Sequence, residues 1–213
     1  AYNQIKGVDA NLLSLDLYVP ESKSDTPSPV MIMIHGGGWR TGDKSSANIT
    51  GAKLHHFLSN GYIYVCLNYR LSNTKPGQPK IQHPIHVQDC AKAMAWIHDR
   101  ISDYGGGPDQ LHLMGHSAGA HLAGLLSTNE RFLNAEGKDL SIIQTNVMLD
   151  TAAIDLPKYA ALRPSRGLST LYLNAFGNEE SNWIDASPAR HLDAGKSIPP
   201  TLLFYGGDRM ALN

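Results

Sequence analysis

The segment LHLMGHSAGAHLAG, residues 111–124, decides the fold that we expect for this chain of 213 residues. The apolar run Leu111–Met114 predicts a short strand, and the Ala-rich run from Ala118 to about Ser127 predicts a helix. Between them, the pattern G-x-S-x-G puts Ser117 on a sharp strand-to-helix turn, which strains its backbone and exposes its Oγ. Ser117 is therefore the predicted nucleophile. The alternative is an ordinary surface serine in a tight turn.

Strands and helices alternate on both sides of this segment. Leu12–Val19 alternates apolar and polar residues, as a half-exposed strand does. Continuous apolar runs at Val30–Ile34 and Tyr62–Asn68 predict strands that are covered on both faces. Further strands are predicted at Thr145–Leu149 and Pro200–Tyr205, and further helices at about Ala47–Ser59 and from Pro84 to about Ile101.

This order of elements predicts the α/β fold class. We expect one doubly wound domain over residues 1–213, with a mostly parallel sheet and helices on both faces. The active site of such a sheet lies at the carboxyl ends of its strands, where the loops at residues 35–43, 115–119 and 205–210 fall. Residues 105–108 are expected to form a turn, and residues 151–199 a short cap-like segment.

A second candidate motif, His35-Gly36-Gly37-Gly38-Trp39, follows the predicted strand Val30–Ile34. Three consecutive glycines cost backbone entropy on folding, so we expect a requirement that only glycine meets. A tight loop that turns its N–H groups toward a reacting carbonyl oxygen is such a requirement, because each donor stabilises the transition state of acyl transfer. The alternative is a flexible turn between two elements.

Together the two motifs resemble the α/β-hydrolase superfamily, and within it esterases of the hormone-sensitive-lipase type and their carboxylesterase neighbours. The resemblance extends over nearly the whole chain and includes the stretch NYRL at residues 68–71. It implies an enzyme that cleaves small carboxylic esters through an acyl-enzyme on Ser117, with no metal and no cofactor. It also implies an oxyanion hole formed by the backbone N–H groups of Gly37, Gly38 and Ala118.

The expected catalytic acid is Asp208, because it follows the strand-like run Thr201–Tyr205 and two glycines, where the family keeps its acid. Asp150 and Asp155, after the preceding strand, are the alternatives. Hydrolases of this kind place their catalytic residues in the chain order Ser, then Asp or Glu, then His.

No histidine follows Asp208, and all ten histidines of the chain precede it. The resemblance implies that His35, His116 and His121 point away from the nucleophile, with His35 bracing the glycine loop. His191 is the one loop candidate near the acid. Without a base, a serine hydroxyl is a poor nucleophile.

Three explanations are considered for the absence of a histidine after Asp208. We expect that the sequence is a portion of the protein that lacks the C-terminal strand, the last helix and a histidine beyond Asn213. An inactive fragment and a non-catalytic relative that binds ligands are the alternatives.

Composition excludes several classes of function. The formal net charge of −1 gives no electrostatic footprint for nucleic acid or an anionic membrane surface, and no apolar run is long enough for a membrane span. Cys66 and Cys90 are expected to be buried free thiols. We therefore expect a small-molecule ester as the partner, with neither nucleic acid nor membrane; a homodimer and the cellular compartment stay open.

The sequence indicates only a class of substrate. The brief segment at residues 151–199 argues against a large lid and favours small, fairly soluble esters. Alternatives are an arylformamidase that hydrolyses N-formylkynurenine, an esterase for acetyl or feruloyl groups of plant polysaccharide, and the non-catalytic binder. Two interpretations, pocket lining and core packing, are kept for the aromatic residues Trp39, Tyr69, Tyr159, Phe176 and Trp183.

Overall fold

The computed structural model describes residues 1–21, 25–72, 79–151, 153–162 and 167–206. In this part of the chain six strands form one sheet, in the order β1-β3-β2-β4-β5-β6. β1 and β3 are antiparallel, and every other neighbouring pair is parallel. The strands are β1 Leu15–Tyr18, β2 Ser28–Ile34, β3 Ile63–Leu67, β4 Gly106–His116, β5 Ile143–Leu149 and β6 Thr201–Phe204.

Helices connect the strands and cover the sheet. The longest is α3, which precedes β4, and α4 begins directly after the G-x-S-x-G turn. The helices of the described residues are α1 Ala47–Thr50, α2 Ala52–Ser59, α3 Ile85–Arg100, α4 Ala118–Thr128, α5 Arg131–Asn134, α6 Leu156–Ala161, α7 Thr170–Phe176 and α8 Glu180–Asp185. Short 3-10 turns lie at Ala10–Leu13, Ile101–Tyr104, Leu140–Ile142 and Pro188–His191.

The alternating side chains of β2 enter two separate cores, one on each face of the sheet. Ile32 belongs to the larger core, together with Leu122 of α4. Met33 belongs to the smaller core, which contains Tyr64 of β3 and is covered by Phe57 of α2. The rings of Phe57 and Tyr64 stack with their centroids 5.4 Å apart. A sheet covered on both faces explains why the strand sequence is continuously apolar, and the predicted doubly wound α/β fold is confirmed.

Parallel pairing brings the carboxyl ends of the strands to one edge of the sheet. Ile34 pairs with both Leu67 and Gly115, so β2, β3 and β4 end together. Leu149 pairs with both His116 and Phe204, which aligns the ends of β4, β5 and β6. The loops that follow these strands therefore share the edge where ligands bind in sheets of this kind.

Three local predictions are wrong. The strand predicted over Leu12–Val19 begins only at Leu15, because Ala10–Leu13 forms a 3-10 turn. Residues 105–108 do not form a separate turn, because β4 already begins at Gly106, where the chain pairs with Ser28 of β2. The single helix expected over Ala47–Ser59 is interrupted at Gly51, whose φ of −71° and ψ of −117° lie outside the helical region.

The two predicted free thiols are confirmed, since Cys66 and Cys90 are both buried and unpaired.

In the ranges of the chain that the structure describes, no helix is both long enough and apolar enough to cross a bilayer.

The turn from β4 to α4 packs backbone against backbone. A Cβ built on Gly115 would lie 2.2 Å from the carbonyl oxygen of Gly119, and one on Gly119 would lie 2.1 Å from the carbonyl oxygen of Ile34. Neither position has room for a side chain. The two glycines therefore allow β2, β4 and α4 to approach one another closely.

The replacement Gly119→Ala tests this packing. The added Cβ meets fixed backbone atoms, so we expect the free energy of unfolding to fall by about 3 kcal/mol or more. Gly61→Ala is the control: Gly61 has a φ of +78° with nothing within 4 Å of an added Cβ. It should cost only the backbone strain, about 1 kcal/mol. Urea unfolding measures both, and equal losses would contradict the packing argument.

Candidate active site

Ser117 occupies the turn between β4 and α4. Its φ of 53° and ψ of −116° lie in a region that residues other than glycine rarely adopt, at a cost of roughly 1–3 kcal/mol. The Ser117 N–H donates to the carbonyl oxygen of Leu149 at 2.7 Å, which ties the turn to the end of β5. The side chain is half-buried and stands at the N-terminus of an eleven-residue helix. This is the strained, accessible serine that the sequence pattern predicts.

The glycine loop lies directly against this serine. A Cβ on Gly36 would lie 3.2 Å from the Ser117 Cβ and 2.8 Å from the carbonyl oxygen of His116. Gly36 therefore marks the point of closest approach between the loop and the turn. The sequence interpretation missed this role, since nothing in the triple-glycine run distinguishes Gly36 from the two glycines that follow.

The next two glycines expose their N–H groups. Gly37 and Gly38 have φ values of 113° and 60°. The Gly37 carbonyl accepts hydrogen bonds from the N–H groups of Arg40 and Thr41, at 3.2 and 3.0 Å. Neither the Gly37 N–H nor the Gly38 N–H donates to any other described residue. The Ala118 N–H is one of the donors at the start of α4 that no helical carbonyl can accept.

Trp39, the residue after the glycines, holds the loop to α4. Its side chain is buried, and its Nε1–H donates to His121 Nδ1 at 3.2 Å. His121 Nε2–H donates in turn to the carbonyl oxygen of Ala186 at 2.7 Å. Both ring nitrogens of His121 are thus used, one as acceptor and one as donor, which fits only the neutral Nε2–H tautomer.

The NYRL stretch after β3 braces the other side of the loop. The Tyr69 hydroxyl donates to the carbonyl oxygen of His35 at 3.0 Å, and the two rings stack with centroids 4.5 Å apart. Arg70 forms a bidentate pair with buried Asp89 of α3, with nitrogen–oxygen distances of 2.7 and 2.6 Å. This arrangement agrees with the bracing role that the resemblance implies for His35.

Asp43 fastens the end of the loop. The Asn68 amide donates to its carboxylate at 2.9 Å, the Asn11 amide at 3.0 Å, and the Ser45 hydroxyl at 2.6 Å. Burial alone would raise the pKa of Asp43, but these hydrogen bonds together hold it well below its usual range. The carboxylate is therefore charged at neutral pH and organises the chain around the glycine loop.

The candidate acids differ in what the structure shows of them. Asp208 lies outside the described residues. Asp155 caps α6 by accepting from the Lys158 N–H at 3.1 Å, and it pairs with Arg190 at 3.0 Å. Asp150 follows β5 with a φ of 54° and accepts from the N–H of Gly206. Of the two alternatives, Asp150 lies beside the turn that holds the serine, and Asp155 is occupied elsewhere.

The histidines are mostly held by other groups. His191 Nε2 lies 2.9 Å from the carbonyl oxygen of Asp185 and 3.2 Å from the Asn129 amide, so this nitrogen is engaged away from Ser117. Seven of the ten histidines have a ring nitrogen within hydrogen-bond distance of a group other than Ser117: His35, His83, His86, His98, His112, His121 and His191. Among the described residues, no group of three or more His, Cys, Asp or Glu side chains is arranged to hold a metal ion.

The sheet order, the strained serine on its turn and the glycine loop beside it define an α/β-hydrolase. The chain belongs to the BD-FAE family, whose profile matches residues 15–210.

Two curated relatives illustrate the sequence similarity. "Probable carboxylic ester hydrolase LipM" of Mycobacterium tuberculosis is 30% identical over 186 residues, which cover 84% of this chain and 41% of that protein. Isoprenylcysteine alpha-carbonyl methylesterase ICME of Arabidopsis thaliana is 30% identical over 201 residues, which cover 90% of this chain and 45% of the relative. The chain thus spans less than half the length of these relatives.

Solved structures share the fold. Thermogutta terrifontis esterase 2, phosphoramylated by tabun, superposes with a TM-score of 0.69 at 21% identity, over 96% of this chain and 69% of the other. Esterase B of Lactobacillus rhamnosis, inhibited by a C6-C4 SN3 compound, gives a TM-score of 0.74 at 22% identity, over 95% of this chain and 63% of the other.

The buried neutral histidine next to the site predicts a pH dependence of stability. Burial lowers the pKa of His121 to about 3, whereas an unfolded histidine titrates near pH 6.5. Between these values the unfolded chain binds a proton that the folded chain does not, so stability rises with pH through this window and is full above it. Replacing His121 with Gln removes the proton uptake and keeps a donor and an acceptor.

We expect His121→Gln to reduce the pH slope of the unfolding free energy by up to about 1.4 kcal/mol per pH unit between about pH 6 and 5. Urea unfolding at several pH values gives this slope. The control is His55→Gln on the exposed side of α2, which should leave the slope as it is. A slope unaffected by His121→Gln would show that His121 is charged in the folded state.

Proposed function

We propose that the protein hydrolyses small carboxylic esters, with Ser117 as the nucleophile. The observation that carries the proposal is the strained backbone of Ser117 at a helix N-terminus. Beside it lie the N–H groups of Gly37 and Gly38, which donate to no described residue. Strain of this kind persists only where the surrounding structure imposes it, and it clusters at active sites. The names of the curated relatives, a carboxylic ester hydrolase and a methylesterase, support an ester as the substrate.

The proposed reaction proceeds in two halves. Ser117 Oγ attacks the ester carbonyl carbon while a histidine base takes the hydroxyl proton. The carbonyl oxygen becomes an oxyanion that accepts hydrogen bonds from the N–H groups of Gly37, Gly38 and Ala118. The bond to the alcohol oxygen then breaks, the alcohol leaves with the proton, and the acyl group stays on Ser117. Water attacks the acyl-enzyme in the same way and releases the carboxylic acid.

The acid of this mechanism is proposed to be Asp208, which orients the histidine and stabilises its charged form. Asp208 lies outside the described residues, and Asp150, which accepts from the Gly206 N–H, is the alternative.

The size of the substrate is proposed from the segment at residues 151–199, which we propose acts as a small cap. Its helices α6, α7 and α8 contain six, seven and six residues. A brief segment of such short helices argues against a large lid. We therefore propose short acyl chains and fairly soluble esters as substrates, with neither nucleic acid nor a membrane as a partner.

The formamide and the non-catalytic alternatives can be separated from this proposal. Hydrolysis of N-formylkynurenine in preference to p-nitrophenyl butyrate would favour the arylformamidase. A ligand-binding protein without catalysis has no need of a strained serine, and its binding should survive replacement of Ser117.

The first functional prediction concerns the nucleophile. In the full-length protein, Ser117→Ala should reduce hydrolysis of p-nitrophenyl butyrate to the buffer rate, because no other group forms the acyl-enzyme. The unfolding temperature should be kept or rise, since alanine is no larger than serine. Activity that persists in the folded variant would rule out Ser117 as the nucleophile.

The second functional prediction concerns the oxyanion donors. An added Cβ on Gly37 would lie 2.0 Å from the Thr41 carbonyl oxygen, so Gly37→Ala must displace the loop and its N–H groups. We expect kcat to fall by roughly 10²-fold and KM to change much less. Gly7→Ala is the control, because Gly7 also has a positive φ, +83°, but open space around it. Equal effects of the two variants on kcat would contradict the assignment.

A further inference from the structure

Leu171 of α7 lies on the glycine loop. A Cβ built on Gly38 would lie 2.6 Å from Leu171 Cδ1, 3.1 Å from Cδ2 and 3.3 Å from Cγ. The isobutyl group therefore fills the space directly beside Gly38. On its other side the residue is open to solvent, with 38% of its surface exposed. Large apolar side chains that stay exposed beside a reactive site are candidates for ligand contact.

The helix that carries Leu171 is fixed to the same loop. Phe176 of α7 is buried and packs edge-to-face on Trp39, with ring centroids 4.8 Å apart. Tyr172 lies 5.6 Å from the Trp39 ring. The backbone of α7 is held as well, since the His83 N–H donates to the Ala175 carbonyl at 2.7 Å. The helix that carries Leu171 is therefore held against the glycine loop.

We infer that Leu171 is a specificity-determining wall of the substrate pocket. Its side chain limits the length of one of the two chains on the ester carbonyl carbon, the acyl chain or the alcohol chain. The inference rests on the proposed function, in which the Gly38 N–H binds the carbonyl oxygen. A substituent on that carbonyl carbon that extends toward α7 must pass the isobutyl group. Because α7 is packed on Trp39, the position of Leu171 relative to the glycine loop is set by the fold.

Shortening and enlarging this one residue tests the inference in the full-length protein. Leu171→Ala removes three carbon atoms next to Gly38 and should raise the ratio of kcat/KM for p-nitrophenyl octanoate over p-nitrophenyl butyrate by about tenfold. Leu171→Trp should lower the same ratio. A parallel series of butyl and octyl acetates shows whether the limited chain is on the acyl or the alcohol side. A changed ratio in either series supports the inference.

The matched control is Leu192→Ala. Leu192 is a more exposed leucine of the same segment, at 56%, but it lines a cavity with Gly124 and Thr128 on α4 and not with the glycine loop. Its replacement should leave both ratios unchanged. If Leu171→Ala and Leu171→Trp leave both ratios unchanged in an active, folded enzyme, the inference is overturned and the proposed function stands.

A binding measurement separates the inference from catalysis. In a Ser117→Ala background the uncleaved esters can be titrated by calorimetry. Adding Leu171→Ala should then tighten the Kd of the octanoate ester relative to the butyrate ester by about tenfold. Failure of the parent protein to hydrolyse or bind any of these esters would overturn the proposed function, and the role of Leu171 with it. If the esters bind but their relative Kd values do not change on Leu171→Ala, the inference alone is overturned.

Discussion

The contact between Gly119 and the carbonyl oxygen of Ile34 sets how closely β2, β4 and α4 approach one another. Because the backbones touch, the turn between β4 and α4 has no room to relax, and Ser117 is kept at a φ of 53°. The same close approach brings the loop after β2 against the serine, where Gly36 has no space for a side chain. The positions of Ser117 and the glycine loop are thus consequences of one packing constraint, which only glycine satisfies.

Hydrogen bonds around the glycine loop hold it in position beside Ser117. Trp39 is held by His121, whose neutral ring accepts from the indole and donates to the backbone of the segment between β5 and β6. Tyr69 and Asp43 hold the two ends of the glycine loop from the side of β3. Buried Trp, Tyr and His side chains require such partners wherever they lie. In the proposed mechanism the same hydrogen bonds also fix the donors of the oxyanion hole, which stabilise a transition state only when they are positioned beforehand.

Sequence patterns predicted the parallel sheet and the turn with Ser117, because both depend on local signals: apolar runs of strand length and glycines at fixed spacing. They misjudged the start of β4, since Gly106 becomes a strand residue only through its pairing with Ser28, far away in the chain. The bond between Trp39 and His121 spans 82 positions and leaves no local pattern. The contact between Leu171 and Gly38 was not predicted for the same reason. Asp208 lies outside the described residues.

If this packing makes Ser117 the reactive serine, a covalent inhibitor forms its adduct at that residue, and locating the adduct decides the proposed role of Ser117. The full-length protein is treated with a fluorophosphonate, digested, and its peptides are mapped by mass spectrometry. We expect a single modified residue, Ser117, and no modification after denaturation in urea, because the unfolded chain loses the strained turn and the aligned N–H groups. Modification of another residue while Ser117 stays free, or equal labelling of the unfolded chain, would contradict it.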